Sequence, residues 1–318
     1  MQAMNTSITM RRMAPSAAGP AAAQGEIDDL ARLSARLRPR LHRYVARMAG
    51  SALDGEDIVQ DALAKAAQHY DPATVRQPDA WLFRIAHNAA MDFLRHRALE
   101  RSLFVESDGQ ADADGIGSTG TDDPAARAEA TAAALTTFMH LPTRQRSAVI
   151  LFDVLGHALD ETAALLDTNV PAVKAALHRG RTRLRELARD GAAVAPQPDI
   201  SPEQRGLAAM YAQRFNARDF DGLRDLLAEE ARLNLPNRAQ ARGKARVGEY
   251  FSRYAAVTDV RAEPAVIEGR SAVWMTDGAA EHPAYPVLLA WRHGQLADIV
   301  DFRYARYVSE ALRPPHPR

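Results

Sequence analysis

Between Glu106 and Pro124 the chain reads ESDGQADADGIGSTGTDDP, a stretch with six acids, no base and almost nothing a core would take. Such a segment cannot repay the entropy of ordering itself by burying apolar surface. It is therefore expected to be a tether, and the blocks on either side are expected to carry separate cores. A second break, GAAVAPQPDISP at 191–202, is stiffened by its prolines. In a chain of 318 residues these breaks predict three folded units at 27–100, 125–190 and 203–318. Linkers at 101–124 and 191–202 separate them, and a disordered tail at 1–26 precedes them. That tail has Arg11-Arg12 with no apolar stretch behind, so it is not read as a secretory signal, and Met10 and Met13 stand as alternative starts.

Composition narrows the chemistry. Cysteine is absent, which excludes a disulfide framework, a cysteine zinc site and thiol catalysis, and suits a reducing cytoplasm. Forty basic and forty acidic side chains cancel, so the chain is no blanket polycation, although local patches remain open. No apolar run approaches the roughly 18 residues of a membrane span, and no spacing implies a metal or another cofactor.

The first unit carries helical periodicity throughout. Leu30, Leu33, Leu37, Leu41, Val45 and Met48 form a stripe from Ile27 onward that Gly50 ends. In GEDIVQDALAKAAQHY, Ile58, Val59, Ala62, Leu63 and Ala66 share one face, while Asp57, Gln60, Asp61 and Lys65 share the other. By itself that polar face fits a solvated surface with an Asp61–Lys65 pair. After the loop 71–80, AWLFRIAHNAAMDFLRHR places Trp81, Leu82, Ile85, Ala89 and Phe93 on an apolar side. Its other side, net basic and amide-bearing, is of the kind that stacks on unstacked bases and holds phosphates, although a tryptophan is more often a core residue.

The order EDIVQDALAKA, proline-containing loop, AWLFRIAHNAAMDFLRHR resembles region 2 of bacterial sigma factors of the extracytoplasmic-function group, over about seventy residues. The resemblance implies that Asp57, Gln60 and Asp61 dock on the β′ clamp helices of core RNA polymerase. It also implies that Tyr70, Arg76, Trp81, Arg84, Asn88, Asp92 and Arg95 melt and read the −10 promoter element. The acidic tether would then thread through polymerase near the RNA path; the plainer reading is a solubilising tether.

In the second unit, LPTRQRSAVILFDVLGHALDETAALLDTNVPAVKAALHRGRTRLREL reads as helix, glycine stop, helix, short turn and basic helix, a helix-turn-helix. Thr143 is the expected cap of the first helix, Gly156 its stop, and Asn169 the cap of the last. From Asn169 to Arg189 six basic residues meet one acid, a phosphate-binding footprint inside a neutral chain. A solvated amphipathic face is the plainer alternative. The segment resembles sigma region 4, which implies a contact with the polymerase β flap and recognition of the −35 element by Pro171, Ala172, Lys174, Ala175, Ala176, His178, Arg179, Arg181 and Arg183. Many members carry a hydroxyl residue and an arginine where Ala175 and Ala176 stand. Alanine touches thymine methyls but donates nothing to guanine, so affinity is expected to lean on phosphates and on Arg179.

The third unit predicts helices first and a mostly antiparallel sheet after them, an α+β domain. Inner faces come from Met210, Tyr211, Phe215, Leu223, Leu226 and Leu227, then Val247, Phe251 and Tyr254. Short strands are expected around 265–267, 272–275, 287–291 and 296–302, the last two joined through RHGQ as a hairpin. Phe215-Asn216-Ala217-Arg218-Asp219, Pro236, Gly243 and the closing IVDFRYARY resemble SnoaL-like cone-shaped domains, some of which are isomerases or cyclases. The DGGGK-type run of one fused sigma group is absent, with Ala241-Arg242-Gly243-Lys244 nearest to it. Candidate pocket groups are Asn234, His282, Asp298 and Asp301, with Trp274 and Trp291 as walls.

The fold expectation is thus multidomain, with two all-α units followed by an α+β domain. The functional expectation is a cytoplasmic, non-catalytic sigma factor that binds core polymerase and promoter DNA. Its fused third domain is expected to contact the sigma units, hold them in check and offer room for a small-molecule ligand. An isomerase- or cyclase-type enzyme with a DNA-binding front end is the alternative, and an ordinary helix-turn-helix regulator a further one.

Overall fold

Helix α1 (Pro20–Ala49) ends at Gly50, whose φ of +75° suits a residue without Cβ. Ser51 then opens α2 (Ala52–His69), its hydroxyl accepting from the Asp54 N–H at 2.9 Å. At Gly55 an added Cβ would lie 2.7 Å from the Ala46 backbone, so the two helices touch there at main-chain distance. Pro78–Ser102 forms α3. This is a computed structural model describing residues 20–102, 134–189, 199–257, 259–277 and 284–312. The acidic tether, most of the second linker and His282 lie outside the described residues. Helix α1 begins inside the segment read as a tail.

The second unit has a 3-10 turn (Leu135–His140) and α4 (Thr143–Val149), which runs into a π turn at Ile150–Val154. After these come α5 (Leu159–Leu165) and α6 (Val170–Arg189). Asn169 caps α6, its side-chain oxygen accepting from the Ala172 N–H at 2.9 Å. Pro142, not Thr143, holds the capping position of α4. Gly156, at φ +76°, is the stop.

The expectation of separate cores fails. Leu37, Leu41 and Tyr44 of α1 share one continuous core with Phe138, Val149 and Leu177 of the second unit. Buried Arg146 ties them further by donating to the Met48 carbonyl at 2.6 Å and the Leu141 carbonyl at 2.9 Å. A tether without apolar content says only that the tether is not core. Whether the faces it joins meet is decided by those faces.

The third unit opens with α7 (Pro202–Asn216) and α8 (Phe220–Asp225). Strands β1 (Leu227–Leu235) and β2 (Ala239–Arg242) precede α9 (Lys244–Ala255). Strands β3 (Val260–Ile267), β4 (Arg270–Asp277), β5 (Tyr285–Arg292) and β6 (Gln295–Asp301) follow, then a 3-10 turn at Phe302–Tyr304 and α10 (Arg306–Leu312). The six strands form an open sheet in the order β2-β1-β6-β5-β4-β3, antiparallel except for the β1–β6 pair. The α+β expectation therefore holds. The turn between β5 and β6 is His293-Gly294, both at positive φ, as a twisted two-residue hairpin requires.

Strand alternation gives this domain two apolar faces. On β5, Val287 and Leu289 pack with Tyr211, Phe215, Phe251 and Tyr254 of α7 and α9. Leu288, between them in sequence, belongs to a smaller cluster with Ile267, Ala272, Phe302 and Val308. That cluster also includes Leu53 of α2, so the second face of the sheet, covered mainly by the domain's own carboxy-terminal residues, takes one side chain from the first unit.

Candidate functional site

The seam between α2 and the sheet is held by the β3–β4 turn and by α10. Glu268 and Gly269 both take positive φ, +49° and +74°, forming a tight turn that thrusts the Glu268 carboxylate at the amino end of α2. Its oxygens accept from the Ser51 hydroxyl (2.5 Å), the Ala52 N–H (2.8 Å) and the Leu53 N–H (3.0 Å). Helix termini leave these amides without intrahelical partners and favour negative charge. Arg270, at the other end of the turn, reaches Asp54 at 2.5 Å and Asp57 at 3.5 Å. One turn along, the Asn234 amide donates to the Gln60 side-chain oxygen at 3.3 Å. From α10, the Tyr307 hydroxyl donates to buried Glu56 at 3.0 Å and accepts from Arg38 at 2.7 Å. Arg38 in turn pairs with Glu56. Burial pushes the Tyr307 phenol above its usual range.

Three residues expected to meet polymerase therefore lie along this seam. Asp57 is exposed but paired, Gln60 is half-buried and bonded, and Asp61 lines a cleft of about 430 Å³ with Asn237 and Arg238 from the β1–β2 turn. Leu53, Glu56, Glu268, Arg270 and Tyr307 were not singled out in the sequence. The turn signal Glu-Gly-Arg was visible, but its long-range target was not.

On α3, Trp81, Arg84, Asn88, Asp92 and Arg95 are spaced to fall on one face. Arg84, Asn88 and Arg95 are exposed, as is Arg76 in the preceding loop. Asp92 holds Arg95 and lies 3.6 Å from Lys65. Trp81 and Tyr70 are half-buried with ring centroids 5.6 Å apart, an aromatic pair beside the loop.

On α6, Pro171, Ala172, Lys174, His178 and Arg183 are exposed, and Ala175 and Arg179 half-buried. Two candidates are corrected. Ala176 is only 7% exposed and belongs to the core with Val173 and Leu177. Arg181 is buried too, its Nε and Nη2 donating to Asp153 at 3.0 and 2.5 Å. The π turn places Asp153 beneath α6, so Arg181 fixes the helix instead of facing outward. Gly180 allows the approach: an added Cβ would meet a Val149 methyl at 2.7 Å.

In the third unit the polar candidates do not converge. Asn234 faces Gln60, and Asp298 pairs with Arg292 at 3.1 Å. Trp274 packs in the cluster around Leu53, whereas the Trp291 N–H donates to Ser271 at 3.3 Å. Asp301 is buried, accepting from the Tyr250 and Tyr254 hydroxyls at 2.8 Å each, and burial raises its pKa. Aromatic side chains pack around it, with Phe215 edge-on to Tyr254 at 5.1 Å.

Comparison with known proteins assigns these units. Residues 33–100 match the Sigma-70 region 2 family, 132–184 match Sigma-70, region 4, and 207–302 match the SnoaL-like domain. RNA polymerase sigma factor CarQ of Myxococcus xanthus is 31% identical over 166 residues, covering 51% of this chain and 91% of CarQ. ECF RNA polymerase sigma factor SigM of Mycobacterium tuberculosis is 30% identical over 153 residues, covering 46% and 71%. The chain belongs to the extracytoplasmic-function sigma factors. The sigma factor SigG of M. tuberculosis is 32% identical over 224 residues, covering 63% of this chain and 59% of SigG. The chain thus spans less than two thirds of SigG. In sigma terms, α1–α3 are region 2, α4–α6 are region 4, and the SnoaL-like domain rests on region 2 at the amino end of α2.

Proposed function

We propose that this protein is a sigma subunit divided as its sequence suggests, 27–100 for core polymerase and the −10 element, 125–190 for the −35 element, and 203–318 as a built-in regulator. The reading rests on sigma-family membership. It is supported by the exposed Arg84–Asn88–Arg95 stripe of α3 beside the Tyr70–Trp81 pair, and by the exposed bases of α6. Aromatic and guanidinium groups in that arrangement suit unpaired bases and their phosphates. Lys174, Arg179 and Arg183 suit the phosphates of duplex DNA. Asp57, Gln60 and Asp61 would dock on the clamp helices of core polymerase, and region 4 on the β flap, in the cytoplasm where polymerase works.

The SnoaL-like domain acts here as an internal inhibitor and not as a catalyst. Arg270 and Asn234 occupy Asp57 and Gln60, so polymerase and the third domain compete for one face of α2. The carboxylate best placed for chemistry, Asp301, is enclosed by tyrosines and aromatic packing. The test is initiation by core polymerase on a library of promoter fragments. The seam-opened Glu268→Lys variant should give transcripts from a defined subset, lost when Trp81 and Arg84 are both replaced by alanine. If neither the wild type nor Glu268→Lys supports initiation from any fragment, the reading fails.

A further inference from the structure

Behind the Glu56–Tyr307 contact, α1 and the end of the SnoaL-like domain enclose a cleft of about 640 Å³, within the usual size range of small-molecule sites. Its charged walls are Arg38 from α1 and Arg303, Arg306 and Glu310 from the carboxy-terminal stretch. Three guanidinium groups thus face one carboxylate. Arg38 has a fixed orientation, held between Glu56 and Tyr307. Arg303 lies over the Tyr254 and Tyr285 rings, 5.7 and 5.9 Å from their centroids. Arg306 is exposed and forms no ion pair among the described residues. Asn237 and the half-exposed Tyr304 complete the rim.

We propose that this cleft binds a small multivalent oxyanion, a compound with phosphate or clustered carboxylate groups, and that the ligand acts as a corepressor. Guanidinium groups present planar forks that match carboxylate and phosphate oxygens, and a concave site whose lining carries more positive than negative groups favours an anion. The direction of the effect follows from the placement. Arg38 belongs to region 2, while Arg303 and Arg306 belong to the SnoaL-like domain. The complete site exists only while the seam is closed, so a ligand that needs both walls draws the equilibrium toward the closed form. This part rests on the proposed competition between the SnoaL-like domain and polymerase.

Calorimetric titration of the full chain, first with inorganic pyrophosphate and then with citrate at matched ionic strength, separates the two sources of charge. At least one should bind saturably. Arg306→Glu should weaken that binding by about tenfold or more, and Arg253→Glu, an exposed change on α9 outside the cleft, should leave it unaltered. The ligand that binds should also lower the affinity of the chain for core polymerase, and should not do so for Arg306→Glu. No saturable binding by either probe, or equal binding by wild type and Arg306→Glu, overturns the site while leaving the sigma reading intact. Binding that leaves polymerase affinity unchanged overturns the corepressor role.

Discussion

His42 shows how one side chain reports on the seam. It is buried, its Nε2 lies 2.8 Å from the Ala52 carbonyl, and its ring packs 4.9 Å from that of Tyr307. Burial holds its pKa below the ordinary 6.5, with Glu56 opposing that shift and Arg38 and Arg47 assisting it. His87 and His157 are lowered for the same first reason. A histidine kept neutral in the folded state takes up a proton more readily once unfolded. Its contribution is complete above its unfolded pKa and is lost as pH falls below it. Asp301, whose pKa is raised, works with the opposite sign, so a single variant is needed to isolate the effect. Urea denaturation between pH 7.5 and 5.5 should show stability declining on acidification, and His42→Gln should decline less steeply. Equal slopes for the two proteins would mean that His42 is not held neutral. Val173, Ala176, Leu177, Gly180, Arg181, Leu184 and Leu187 are all buried on α6, and they recur at three- and four-residue intervals. Ala176 was therefore legible as core. Arg181 was not, because a charge on a buried stripe is explained only by its partner Asp153, which a sequence pattern does not place.

At the scale of elements, periodicity located α1, α2, α3, α6 and α9, because each buries one stripe of a long helix and the pattern repeats several times. The short pieces were harder. Strand β2 has only four residues, none buried, and α10 has only seven, separated from β6 by a 3-10 turn. Both are set by contacts far away in sequence, as is the β3–β4 turn whose Glu268 caps α2. That capping has a measurable consequence at the main chain. Hydrogen bonds to a charged acceptor contribute about 1.5–3 kcal/mol each, and Glu268 supplies them to the Ala52 and Leu53 amides. In Glu268→Lys these two amides should exchange with deuterium at least about tenfold faster than in the wild type, while amides in the middle of α3 keep their rates. Unchanged exchange at Ala52 and Leu53 would show that the turn does not hold this end of the helix in solution.

On the proposed reading, the arrangement of the whole molecule is a closed one. Helix α3, proposed for the −10 element, and helix α6, proposed for the −35 element, belong to units with one shared core. Elements roughly 25 base pairs apart lie about 85 Å apart along B-form DNA at 3.4 Å per pair, far beyond the reach of two helices in a single compact core. If those roles hold, engagement of a promoter requires regions 2 and 4 to part, and engagement of polymerase through Asp57 and Gln60 requires the SnoaL-like domain to leave α2. The family was legible in the sequence, but not the shared core of the two helical units or the closed state, since nothing along a chain states which of its surfaces meet. The most direct test is the affinity of the full chain for bacterial core RNA polymerase. It would be compared with a Glu268→Lys/Arg270→Glu variant, in which the seam is broken, and an Asp57→Lys/Asp61→Lys variant, in which the proposed docking face is reversed. The wild type should bind weakly, the seam variant at least about tenfold tighter, and the reversed face not at all. Equal affinity for the wild type and the seam variant would contradict the proposed competition.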